Sequence, residues 1–200
     1  MCGRYFVDRA ESPEDLDRII DALNRKGQIV KMGEVCPGDS VPVIANSRQL
    51  TPTPFAMTWG YKMSDGKLII NARSESAMEK PMFRDGMRNR RCLLPANRYF
   101  EWEKRGKERT KYAIHPVDTS LFYIAGLYRL EGNHPRCTVL TRSPSEQIAF
   151  IHDRMPVLLP KEAAGDWLNP RYDAIDVLKA ALTDMTFLPA EGAQQIRMEG

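Results

Sequence analysis

The chain has 200 residues, 42% of them hydrophobic and 28% charged, with a formal net charge of +3. That length suits one domain burying roughly 70% of its unfolded surface, and the composition excludes an intrinsically disordered chain. No apolar run approaches the ~20 residues of a membrane span and the N-terminus lacks a secretory signal, so a cytoplasmic protein, nucleoid-associated if bacterial, is expected.

In chain order, residues 12–24 predict the first helix. Ser12 stands at the N-cap, Pro13 at the first helical position and Asp15 where it would complete a capping box. Leu16, Ile19, Ile20 and Leu23 supply an apolar stripe. Beyond Gly33 the pattern changes to short apolar runs broken by Pro and Gly, predicting strands over 41–45, 55–61, 67–70, 93–103, 111–115, 121–130, 137–141 and 156–159. One or two short helices are expected within 74–90, others over 144–151, 163–168 and 173–182, and a frayed tail over 191–200. Strands outnumber helices and no regular crossovers separate them. The expectation is an α+β single domain over 1–190, a mainly antiparallel, partly open barrel-like sheet flanked by short helices.

The positive charge is uneven: 12 of the 29 Lys and Arg, against 6 of the 26 Asp and Glu, fall within residues 71–111, leaving 17 basic and 20 acidic groups elsewhere. This is either a polyanion-binding face or an ordinary solvated surface. Cys2, Cys36, Cys92 and Cys137 form neither a C-x-x-C pair nor a zinc-ligand spacing. No metal or organic cofactor is expected, and Cys36, Cys92 and Cys137 read as small buried hydrophobes.

Four segments resist explanation by packing alone. Met1-Cys2-Gly3-Arg4 would, after loss of Met1, present an α-amine and a thiol on one residue, with reference pKa values of about 7.7–8.0 and about 8.5. Such a 1,2-aminothiol condenses with an aldehyde to an imine and then closes a thiazolidine ring. Asn71-Ala72-Arg73-Ser74-Glu75 follows the apolar 68–70 run, where either a site or a helix cap is expected. Along Tyr99-Phe100-Glu101-Trp102, strand alternation puts Glu101 on the face of Tyr99 and opposite to Phe100 and Trp102. Glu101 is there either a general acid/base or an outward carboxylate. Finally, His152-Asp153-Arg154-Met155-Pro156 puts a histidine between a predicted helix and strand.

Together and in this order, Met-Cys-Gly-Arg, Asn-Ala-Arg-Ser-Glu, Arg-Cys-Leu-x-Pro-Ala with Phe-Glu-Trp, and His-x-Arg-Met-Pro-Val resemble the SOS response associated peptidase family of abasic-site processing proteins. The resemblance runs from Cys2 to about Leu159. It implies a compact α+β domain in which Cys2 forms a covalent thiazolidine link to abasic sites in single-stranded DNA. Asn71 would position the sugar and amine, Glu101 would serve as general acid/base, and His152 would assist proton transfer. Arg4, Arg73 and Arg154 would hold phosphates, and Trp59 would support displaced bases. A monomer is expected, with a lyase-like crosslinking activity and an associated peptidase activity that releases Met1. A cysteine peptidase and a non-covalent single-strand binder are the alternatives. The chain departs from the family pattern at Tyr61-Lys62-Met63, after Trp59-Gly60, and at Ser143 and Ser145.

Overall fold

The computed structural model describes residues 2–190, and its chain begins with β1 (Arg4–Val7) followed by α1 (Pro13–Asn24). Leu16, Ile19, Ile20 and Leu23 of α1 are all buried, each contributing about 1.5–3 kcal/mol by removal from water. The predicted cap is absent. The Ser12 amide closes the preceding turn on Arg9 O, its hydroxyl donates to Glu11 O, and Asp15 accepts from Lys161 instead.

Next come β2 (Gly33–Val35), β3 (Ser40–Asn46), β4 (Pro52–Trp59), β5 (Tyr61–Lys62), β6 (Leu68–Ile69) and β7 (Asn71–Arg73), then α2 (Pro81–Asn89). The strand expected over 55–61 is interrupted at Gly60, whose φ of +110° belongs to glycine and where a Cβ would stand 3.0 Å from Leu68 Cβ. Five longer strands follow: β8 (Arg91–Ala96), β9 (Arg98–Arg105), β10 (Glu108–Pro116), β11 (Phe122–Glu131) and β12 (His134–Arg142). The chain then adds β13 (Met155–Pro156), β14 (Leu158–Leu159), α3 (Ala164–Leu168), α4 (Ala174–Val177) and β15 (Met185–Pro189). Within 144–151 only a single 3-10 turn forms, Glu146–Ile148. The tail expected to fray lies outside the described residues.

The α+β architecture is as expected, with mainly antiparallel pairing. Strands β12, β4, β3, β8 and β11 pair in turn, and β11 pairs back to β12 to close a barrel. The β4–β12 pairing is parallel, and β7 adds a further parallel strand to β12. A second, antiparallel sheet has the order β15-β10-β9-β1-β2. Alternation along the barrel strands sorts the side chains into two layers. Val41, Val43, Trp59, Cys92, Leu94, Ile124, Cys137 and Val139 join one cluster, together with Cys2, Tyr5 and Tyr99 from the second sheet and its leading segment. Leu93, Tyr123, Ala125, Leu127 and Leu140 form the other, beneath α2, α3 and α4. No described helix is long and apolar enough to cross a membrane.

Residues 93–103, expected as one strand, divide between the two sheets at Asn97. This buried corner donates its amide to Phe6 O at 2.8 Å. Its Oδ1 accepts from Asp8 N at 2.7 Å, and Nδ2 donates to Ser120 O at 2.7 Å and Ser12 Oγ at 3.2 Å.

The barrel interior has no slack at Gly126. A Cβ there would lie 2.8 Å from Leu94 Cδ1, 2.9 Å from Thr138 O and 3.1 Å from Cys92 Sγ. Because one of these neighbours is backbone, Gly126→Ala is expected to destabilise by about 1–3 kcal/mol. A urea midpoint unchanged from wild type would show that the wall yields.

Candidate active site around Cys2

Cys2 is fully buried just ahead of β1. Its carbonyl accepts a hydrogen bond from Asn71 Nδ2 at 3.1 Å, and its thiol points back to Arg4 O at 3.7 Å. Asn71 opens β7, in register with Val139 of β12. The residue before it is held twice, since Ile70 O accepts from Val139 N and from Trp59 Nε1, both at 3.1 Å. Asn71 Oδ1 is buried with no hydrogen-bond partner among the described residues.

Glu101 lies on β9, which pairs with β1 through Arg4↔Phe100 and Tyr5↔Tyr99. It shares the inner face with Tyr99 and is only 4% exposed. The outward-carboxylate reading is thereby excluded. Burial first, and the Glu101 charge second, push the Cys2 thiol well above its ordinary range. This changes the expectation drawn from reference values: at neutral pH the buried sulfur is a protonated thiol, and attack requires a group to take its proton. Tyr5 and Tyr99 flank the same space with buried hydroxyls that have no partner among the described residues. Burial raises both their pKa values, and Cys2 adds to each shift. Neither tyrosine was singled out by sequence as a candidate site residue.

Thr141, fully buried near the end of β12, gathers the other motifs. It is in register with Arg73, and its carbonyl accepts from Ser74 N at 2.9 Å and Arg154 Nη2 at 2.7 Å. Arg154 also grips Glu75 through two bonds of 2.9 and 2.8 Å. Arg73 is exposed. His152 lies two residues before Arg154, and its Nδ1 accepts from Arg154 N at 3.0 Å. The same Nδ1 lies 2.7 Å from Asp153 Oδ1. One nitrogen cannot serve both contacts, because the second needs a proton on Nδ1. The backbone amide is the fixed partner, whereas the Asp153 side chain is 82% exposed and free to turn away.

Arg4 donates to Glu34 Oε1 at 2.7 Å and sits 5.6 Å from the Trp102 ring centroid. Glu34 also accepts from Lys111 at 2.8 and 3.0 Å. Partial burial works against its charge, but the bonds from Lys111 and Arg4 hold its carboxyl below the ordinary range. Two of the three candidate phosphate arginines are therefore already paired with carboxylates, Glu34 and Glu75, which no sequence signal marked as their partners.

Two further expectations need correction. Trp59 is fully buried, its indole N–H committed to Ile70 O and its ring 5.5 Å from Tyr5. A ring with no exposed face cannot stack on a base, so Trp59 supports the strand that carries Asn71. Cys36 is half-buried rather than a core residue, and all four cysteines are free. Within the basic run over 71–111, Arg90 pairs with Asp85, Arg98 with Glu11, Arg105 with Glu103 and Lys111 with Glu34, while Arg91 is buried. Among the described residues no group of three His, Cys, Asp or Glu could hold a metal ion.

The family model described as SOS response associated peptidase (SRAP) matches residues 1–193. The chain is 42% identical over 204 residues to abasic site processing protein YobE of Bacillus subtilis, an alignment covering 91% of this chain and 88% of that one. It is 26% identical over 182 residues to abasic site processing protein YedK of Escherichia coli, covering 84% and 80% of the two chains. Among solved structures, a protein from Bacteroides thetaiotaomicron superposes with a TM-score of 0.78 over 95% of this chain and 92% of its own. At 22% identity that likeness speaks for the fold alone.

Proposed function

The chain belongs to the SOS response associated peptidase (SRAP) family, and on that footing we propose that it processes abasic sites in DNA by linking them covalently to Cys2. The observation that carries this reading is the convergence on one buried cysteine of Asn71, which grips its carbonyl, and Glu101, whose charge acts on its thiol.

The chemistry starts with hydrolysis of the Met1–Cys2 peptide bond, which frees the Cys2 amine. This single peptide cleavage is where the peptidase activity enters, and the family's descriptive name supports it. The ring-opened abasic sugar then offers an aldehyde. The amine adds to the carbonyl carbon, and Glu101 delivers the proton that lets the hydroxyl leave as water, giving an imine. Sulfur attacks the imine carbon. As the S–C bond forms, the thiol proton passes by way of Glu101 to the imine nitrogen, and the thiazolidine closes with no change in oxidation state. Asn71 keeps the Cys2 backbone in place throughout, and its buried Oδ1 supplies an acceptor for the sugar or the amine. His152 serves as a second proton carrier, and release of the link is the step assigned to it. Arg73 offers an exposed cation to a phosphate, while Arg4 and Arg154 would exchange their carboxylates for phosphate as the strand enters. Single-stranded DNA is the proposed partner, because an unpaired sugar can reach a buried thiol without opening a duplex.

Incubation with a single-stranded oligonucleotide bearing an abasic site is expected to give a one-to-one adduct on a denaturing gel. Its intact mass should equal protein without Met1 plus DNA, less one water. A tetrahydrofuran analogue, which cannot open to an aldehyde, should give none. An adduct that persists in Cys2→Ala would overturn the assignment.

A further inference from the structure

On the outer side of the barrel wall, we propose that a cavity between the ends of β3 and β8 is a binding site for a phosphate group bearing an O–H, either inorganic phosphate or a phosphate monoester.

The cavity measures about 80 Å³ and is lined by Asn46, Ser47, Arg88 and Arg91, among others. It lies apart from the Cys2 site because strand alternation turns Cys92 inward, into the Cys2 cluster, and Arg91 outward. Asn46 sits beside Arg91, since the neighbouring residues Ala45 and Cys92 are in register.

Arg91 is only 6% exposed. Its Nη2 donates to Tyr172 O at 2.8 Å and its guanidinium stands 5.3 Å from the Trp167 ring. Its Nη1 is buried and has no hydrogen-bond partner among the described residues. Burial pulls the Arg91 pKa down, and the Asp173 charge opposes this through space. The Asp173 Oδ1, however, accepts from Ile175 N and Asp176 N at the start of α4. Among the described residues no carboxylate forms a salt bridge with this buried cation, an arrangement that costs stability unless an anion completes it.

Asn46 defines the anion further. Its Nδ2 donates to Leu168 O at 2.7 Å, which fixes the orientation of the amide. The Oδ1 that remains is a buried acceptor without a partner among the described residues. A single group that satisfied both would accept from Arg91 and donate to Asn46. A carboxylate or a phosphodiester has no proton to donate, whereas monohydrogen phosphate and a protonated phosphate monoester supply both functions. The space exceeds the ~10–15 Å³ that a single water requires, and Arg88, exposed on α2, adds a second positive charge at the rim.

The test uses the full-length wild-type protein labelled with 15N, titrated with inorganic phosphate against chloride at matched ionic strength. A saturable shift of the Arg91 side-chain N–H signals and a rising Tm are expected, with sulfate, which has no O–H at neutral pH, binding several-fold more weakly. Arg88→Ala, on an exposed helix position, should weaken binding a few-fold, and Arg91→Met about ten-fold or more. A 5′-phosphorylated oligonucleotide compared with its unphosphorylated twin distinguishes a strand end from free phosphate as the source. Cys2→Ala should bind phosphate as wild type does, so the outcome is independent of the crosslinking reaction. If the Arg91 signals do not move across the millimolar range, or move equally with chloride, the cavity holds water and the proposal falls.

Discussion

Replacing Glu101 with Gln is expected to slow adduct formation by about 10²–10⁴-fold while making the Cys2 thiol easier to ionise. The two effects oppose each other for a physical reason. The Glu101 charge is one of the causes that raise the Cys2 pKa, so a neutral amide of the same shape lowers it and increases the thiolate fraction at any given pH. If Glu101 acted only as a nearby charge, Glu101→Gln would react faster, particularly on the acid side of neutrality. If it relays protons to the departing water and to the imine nitrogen, the variant is slow at every pH despite its more acidic thiol. Single-turnover crosslinking rates and the pH dependence of alkylation by a small thiol reagent, measured on the same preparation, separate the two. Faster crosslinking in the variant would remove Glu101 from the proton path. In wild type, crosslinking should accelerate as pH rises towards the elevated thiol pKa, since burial keeps the sulfur protonated below it.

The second large effect concerns Trp59. Trp59→Ala is expected to lose about 3–5 kcal/mol of stability, roughly 10 °C or more in Tm. It removes one of the largest fully buried side chains, a ring contact with Tyr5 and a hydrogen bond to Ile70 O. Trp59→Phe keeps most of the apolar volume and loses the bond, worth about 0.5–1.5 kcal/mol. The informative readout is DNA affinity of the folded Trp59→Phe protein, which should match wild type if the ring never meets a base. Affinity falling ten-fold at unchanged stability would restore the stacking role.

The helix at α1 and most long strands were legible because their apolar spacing is local and repeats over many residues. What escaped has a common cause. Strands β1, β2, β7 and β15 span only three to five residues each, too few for a period to emerge, and exist because a neighbouring strand offers pairing. Asn97 could not be read as a corner, since apolar runs lie within two residues on either side and its role lies in partners drawn from Phe6, Asp8, Ser12 and Ser120. The candidate site was visible as short motifs, and the structure brings Asn71 into contact with Cys2 and turns Glu101 inward. Glu34 and Glu75 were invisible as partners of Arg4 and Arg154, because ion pairs spanning 30 and 79 residues leave no local trace. Trp59 was misjudged for the converse reason: a motif gives the residue but not which way it faces.

The Asn97 corner has a kinetic meaning. The strand bearing Glu101 leaves this residue, and the strand that follows Cys2 is tied to it through Phe6 O. Cys2 and Glu101, the proposed nucleophile and proton carrier, thus ride on two short arms of one pivot whose amide groups are all engaged. Their mutual alignment is settled when the chain folds, before any DNA arrives. On the proposed reading, an incoming strand need only deliver its aldehyde to a jaw already set.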